Sequence, residues 1–174
     1  MRHGARGIDV FVMLIRSVLP SDATAMAGIL SHYIEHTTIS FQTNKVDENR
    51  MEQIIAGCSS LHPFLVAVSQ EGDVLGFAYA HAWRSYEAYR YTAETTIYLH
   101  PSACGVGVGR KLMDKLIADC RVAGLHSLIA CVTQNNEKSK AFHLSLGFQQ
   151  VSHMRAVGYK FGEWLDVIDY QLIL

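Results

Sequence analysis

Cys104-Gly105-Val106-Gly107-Val108-Gly109-Arg110 lies between a β-prone run ending near Leu99 and an amphipathic run beginning near Arg110. From Arg110 to Ala123, Leu112, Met113, Leu116, Ile117 and Cys120 fall on one stripe, so the glycines join a strand to a helix. Alternate glycines let a ligand approach the backbone, and the first turn of the helix leaves its amide N–H groups unpaired. Such a turn binds phosphate. Spacing separates the nucleotide-binding forms: G-x-G-x-x-G needs glycine where Arg110 stands, and G-K-[ST] is not met at Gly109-Arg110-Lys111. Taken alone, the loop also reads as a flexible strand-to-helix turn.

Outward from this loop, Phe64 to Ser69 and Val74 to Ala82 predict a hairpin turning near Gly72, and Thr92 to Leu99 predicts the next strand. Nearer the N-terminus, a strand is expected around Val12 to Val18. Pro20-Ser21-Asp22 carries helix-start chemistry for a helix from about Asp22 to His36. Thr37 to Phe41 is rich in β-branched residues, and Asp47 to Cys58 forms a second amphipathic helix around Met51, Ile54 and Ile55. Beyond the loop, Gly124 stands where a left-handed cap belongs, and Ser127 to Val132 is a short buried strand. Asn136 to Leu146 is a helix stopped by Gly147; Phe148 to Val157 and Trp164 to Leu174 are the last two strands. This order predicts an α/β (α+β) domain, a mixed sheet with helices on its faces.

Composition narrows the function. With 174 residues, 15 Lys+Arg against 16 Asp+Glu and only 18% charged residues, the chain is one ordinary domain without a nucleic-acid footprint. The 49% hydrophobic content also argues against disorder. Cys58, Cys104, Cys120 and Cys131 form no C-x-x-C pair, and no convincing secretory signal is present, so reduced cytoplasmic thiols are expected. The run Ile8 to Ile15 is too short to span a bilayer and contains Asp9. Residues 1–12 are read as an N-terminal extension and 13–174 as a single domain.

Glu94 sits in Tyr91-Thr92-Ala93-Glu94-Thr95-Thr96-Ile97-Tyr98, a stretch otherwise short of charge. A carboxylate inside an apolar strand costs free energy unless paired or used, and partial burial raises its pKa toward that of a general base. A solvent-facing glutamate is the equal alternative. His32-Tyr33-Ile34-Glu35-His36 spells H-x-x-E-H, a zinc-protease signature, but no acidic third ligand accompanies it, and no metal is expected.

The glycine loop resembles the pyrophosphate-binding loop of the GNAT N-acetyltransferases, Q/R-x-x-G-x-G/A, with Gly107 and Gly109 on its glycines and Cys104 at the Q/R position. Asn136, Ser139, Phe142, His143 and Leu146-Gly147-Phe148 resemble that family's helix beside the pantetheine arm. Four further stretches are similar to the phosphinothricin and methionine sulfone or sulfoximine branch. They are His32 to Glu35, Thr38 to Thr43, Ala88 to Glu94, and Arg155 to Val167.

The resemblance implies a mostly antiparallel seven-stranded sheet flanked by about four helices, acetyl-CoA as cosubstrate, a small amino-acid-like acceptor and a homodimer. By position it implies Glu94 as general base, with Tyr98 or His143 protonating the departing thiolate. Ile97, Tyr98, Leu99, Gly105, Val106, Gly107, Val108, Gly109, Arg110, Asn136 and Ser139 would hold the coenzyme. Phe41, Arg84, Glu87, Ala88, Tyr89 and Tyr159 would line the acceptor pocket, with Arg84, Arg90 and Lys160 as candidate cations for the acceptor's carboxylate. A non-catalytic acetyl-CoA-binding module is the rival reading. An acetyl-cysteine at Cys104 is disfavoured because no basic partner is near it in sequence.

Overall fold

The computed structural model describes residues 13–174; the expected extension 1–12, and the Val12 end of the first predicted strand, lie outside them. Leu14–Ser17 (β1) leads through a 3-10 turn at Pro20–Asp22 into Ala23–His36 (α1), and Glu48–Ala56 (α2) follows. Asp47 caps α2 by accepting from the Arg50 amide at 2.8 Å. Phe64–Val68 (β2), Val74–Ala82 (β3) and Thr92–Leu99 (β4) then form a meander. Val108–Val122 (α3) crosses to Ser127–Thr133 (β5), and Glu137–Ser145 (α4) precedes Gln149–Gln150 (β6), Met154–Lys160 (β7) and Glu163–Ile173 (β8). Gly124 and Gly147, both left-handed, stop α3 and α4 as the sequence indicates.

The sheet runs β1-β2-β3-β4-β5-β8-β6, with β7 also paired to β8; β4 and β5 are parallel and the other pairs antiparallel. The eight strands among the described residues exceed the seven expected, because the run Phe148 to Val157 breaks in two. Ser152 and His153 interrupt it by turning to partners on β8: the Ser152 hydroxyl donates to Asp169 at 2.7 Å, and His153 Nε2 meets Asp166 at 2.7 Å. These polar contacts replace the alternation that a continuous strand needs.

Each face of the sheet carries its own core. The stripe of α3, with Leu112, Met113 and Leu116 fully buried, packs on Leu65, Ala78, Leu128 and Ala130. On the opposite face, Met26, Leu30 and Ile34 of α1 and Met51 of α2 pack on Phe64, Val66 and Phe77. A fully buried Leu, Ile or Phe contributes roughly 1.5–3 kcal/mol, so these two stripes clamp the central strands between helices.

Candidate active site

The parallel pair β4/β5 stays in register for only three residues, Thr92↔Ser127, Ala93↔Leu128 and Glu94↔Ile129. Beyond Glu94 the strands part, although β4 continues to Leu99 and β5 to Thr133. At the first unpaired position the Thr95 hydroxyl donates to the Ile129 carbonyl at 3.2 Å, a side-chain bond where the ladder ends. The wedge opens into a cleft of about 680 Å³, bounded by β4 and β5 and roofed by the loop after α1 and by α4. That size suits a drug-sized ligand.

Glu94 stands at the apex of the wedge and lines the cleft. Burial pushes its carboxyl above the ordinary glutamate range. His81 on β3 and the Cys131 thiol on β5 oppose that shift, and Asp169 on β8 adds to it. His81 is the antiparallel partner of Glu94, its Nε2 3.9 Å from Oε1. Cys131, paired in register with Asp169, has its thiol pushed up by burial and by the charge of Glu94, so it stays protonated. Tyr98, two β-periods further along the same face, keeps its phenol proton because burial raises its pKa.

His143 on α4 also lines the cleft, buried against Phe142, Phe148 and Tyr170. Its Nδ1 lies 2.8 Å from the Ser139 carbonyl, which only accepts, so Nδ1 carries the proton and Nε2 the lone pair. Burial lowers its pKa, leaving a neutral ring. Asn136 caps α4 by accepting from the Ser139 amide at 3.1 Å, so its side-chain carbonyl serves structure while its N–H donors remain at the cleft. The Thr133 hydroxyl, buried and without a partner among the described residues, lies beside it.

Further along the splayed edge lies the glycine loop. Gly107 caps α3 at φ +92°, a left-handed geometry that costs a residue with a Cβ roughly 1–2 kcal/mol. The first ladder bond of α3 runs from the Lys111 amide to Gly107, so the amides of Val108, Gly109 and Arg110 have no partner within the helix. A Cβ on Gly109 would come within 3.2 Å of Leu99 and 3.7 Å of Ile97, which seats these amides against the end of β4. Tyr33 of α1 locks that end by donating to the Leu99 carbonyl at 2.7 Å. An anionic group fits here on backbone donors alone. The Arg110 guanidinium is engaged with Asp114 at 2.9 Å, leaving its amide as the relevant donor. Gly105 and Val106 precede the helix on the same loop, with Val106 exposed.

Of the expected acceptor residues, Phe41 alone lines the cleft. Arg84 stacks on Trp83 and Tyr89, and Glu87 pairs with Arg90 at 3.1 Å. Ala88 and Tyr89 lie on an exposed 3-10 turn, and Tyr159 packs on Trp164 outside the cleft. Lys160 is buried, its Nζ donating to the Thr37 and Ser40 carbonyls at 2.8 and 2.6 Å. It therefore pins the loop that roofs the cleft and does not present a free cation. Cys104 lies outside the cleft, against Tyr33 and the His100 carbonyl. In the H-x-x-E-H run, Glu35 is paired with Lys45 at 2.7 Å, and no three potential metal ligands gather among the described residues. Sequence reasoning missed His81, Cys131 and Asp169, which reach Glu94 from three other strands and carry no local motif.

A splayed parallel strand pair, a strand edge left open and a helix N-terminus of free amides define a GNAT architecture. The family model of the acetyltransferase (GNAT) domain matches residues 15–168, and the chain belongs to this family. It is similar to an L-methionine sulfoximine/L-methionine sulfone acetyltransferase of Salmonella typhimurium, 38% identical over 163 residues, covering 93% of this chain and 95% of the relative. It is also similar to a phosphinothricin N-acetyltransferase of Alcaligenes faecalis, 37% identical over 159 residues, covering 88% and 79% of the two chains. Among solved structures, a GNAT phosphinothricin acetyltransferase of Sinorhizobium meliloti in complex with acetyl-CoA superposes with a TM-score of 0.89 at 30% identity, covering 94% of this chain and 89% of that one. The chain is thus an acetyltransferase, and no helix among its described residues is long and apolar enough to cross a membrane.

Proposed function

We propose that the protein transfers an acetyl group from acetyl-CoA to the α-amine of a small amino acid bearing a tetrahedral polar head, of the methionine sulfone, methionine sulfoximine or phosphinothricin type. The observation that carries this reading is Glu94 at the apex of the wedge, a partly desolvated carboxylate opening on the cleft. The coenzyme supplies an acetyl thioester. Val108, Gly109 and Arg110 bind its pyrophosphate through their amides, and the open edge of Ile97, Tyr98 and Leu99 pairs with the pantetheine arm. Glu94, directly or through one water, takes the proton from the acceptor's ammonium and so makes the amine a nucleophile. Both substrates are held together, and transfer is direct. Tyr98, which keeps its proton, gives it to the departing thiolate and regains one from the nitrogen of the tetrahedral intermediate as that nitrogen becomes the amide; His143, neutral with Nε2 unprotonated, serves as a hydrogen-bond acceptor.

Exposed Tyr86, Tyr91, Tyr159 and Trp164 outside the cleft support a homodimer, in which a second copy covers them. Thiol release from acetyl-CoA, measured across the three amino-acid types with unmodified methionine and glutamate alongside, tests the proposal. Saturable turnover is expected with at least one tetrahedral-headed acceptor. Acetyl-CoA binding without turnover on any amino acid would mark a binding module instead.

A further inference from the structure

Behind the cleft, on the α2 side of β3, lies a second cavity of about 320 Å³. His81 and Tyr79 line both, so the imidazole of His81 forms part of the wall between them. Its Nδ1 faces the Ala82 carbonyl at 3.3 Å, an acceptor, so in the neutral ring Nδ1 carries the proton and Nε2 the lone pair. Nε2 is the ring atom nearer Glu94, 3.9 Å from Oε1. The gap exceeds a hydrogen bond, and proton-transfer contacts of this kind tighten when substrates bind. The His81 side chain is 44% exposed, against 27% for Glu94, so it reaches water more readily than the carboxylate does.

With Glu94 as the base, one proton has to leave the site in every cycle. Each turnover deposits a proton on Glu94 while coenzyme and acceptor fill the cleft, and the carboxylate must lose it before the next cycle. We infer that His81 is the exit: it takes the proton from Glu94 and releases it into the second cavity, away from both substrates. This rests on Glu94 as the base. The ammonium N–H bond breaks as the Glu94 O–H bond forms; the proton then moves to His81 Nε2, giving an imidazolium and regenerating the carboxylate. The imidazolium passes a proton to water in the second cavity and returns to the neutral ring. Imidazole is the side chain suited to such exchange near neutral pH.

The groups around His81 fit the role. Glu94 faces it from β4 and Tyr79 from β3. On the cavity side stand Arg50 of α2, Cys58 just after it and His62 before β2. Burial, and then the charge of His81, hold His62 in its neutral form, and its Nε2 has no partner among the described residues. Kept neutral, it does not take up the proton; its unpartnered Nε2 can hydrogen-bond to the water that carries it.

Initial rates of methionine sulfone acetylation from pH 6 to 9, for the wild type, His81→Ala, His81→Gln and Glu94→Gln, with and without added imidazole, test the inference. His81→Ala is expected to lose about tenfold in kcat, with KM for acetyl-CoA unchanged and activity restored in a saturable way by imidazole. His81→Gln, which fills the space without a titrating ring, is expected to show the same loss but resist rescue. Full activity in both His81 variants at every pH, or a loss in His81→Ala that imidazole leaves untouched, would overturn the exit. Wild-type turnover in Glu94→Gln would instead overturn the base itself, so the two failures are distinguishable.

Discussion

The two halves of the cleft are built by different means. On the side proposed for the coenzyme, the open edge of β4, the glycine loop and the first turn of α3 offer backbone donors, and, Tyr33 apart, the residues that shape them are close together in the chain. On the side proposed for the acceptor, Thr37 to Phe41 has no regular structure. It is held by contacts from far along the sequence: Lys160 bonds to Thr37 and Ser40, Phe41 lies over Gly158, and Thr38 receives a bond from Asn135 at 3.1 Å. On the proposed reading, the coenzyme is gripped by main chain, while the wall facing the acceptor is assembled from side chains.

Substitutions at the two sides should therefore separate in kinetics. The largest effect belongs to the apex that both halves share: Glu94→Gln is expected to lower kcat by on the order of a hundredfold while acetyl-CoA binding measured by calorimetry stays close to wild type. Because burial raises the Glu94 pKa, wild-type kcat/KM should fall with decreasing pH at a value above the ordinary glutamate range, as the base becomes protonated. An unchanged kcat would dissolve the contrast, since neither half would then serve a base.

Gly158→Val comes next. Its Cβ would run into the Phe41 ring, so the ring must leave its place on the cleft wall. KM for the acceptor should rise about tenfold, the scale of a lost hydrophobic contact, with KM for acetyl-CoA unmoved. Gly107→Val should do the reverse and by less, weakening acetyl-CoA severalfold through the strained left-handed cap while leaving the acceptor's KM alone. If either variant moved both constants equally, the two sides would be one cooperative unit.

The same division governs what the sequence reveals. β3 and β4 have the bounds that their apolar runs predict, and Asp47, Gly124 and Gly147 cap or stop helices where local chemistry places them. The glycine loop was legible because backbone recognition requires glycine at fixed spacing. Glu94 was legible as a charge out of place in its strand. Its neighbours were not: His81 meets it through a strand register that the long connection 83–91 does not dictate, and Cys131 and Asp169 arrive from β5 and β8. Lys160 looks like a surface cation in sequence, yet a partner loop 120 residues away buries it. The stretch Phe148 to Val157 looks like one strand because nothing local signals that Ser152 and His153 will turn to β8.

A crystal structure with acetyl-CoA and methionine sulfone bound tests the central claim most directly. The pyrophosphate is expected on the amides of Val108 to Arg110, and the acceptor nitrogen within one hydrogen bond, or one water, of the Glu94 carboxylate. A thioester seated elsewhere, or an amine turned away from Glu94 toward another base, would contradict it.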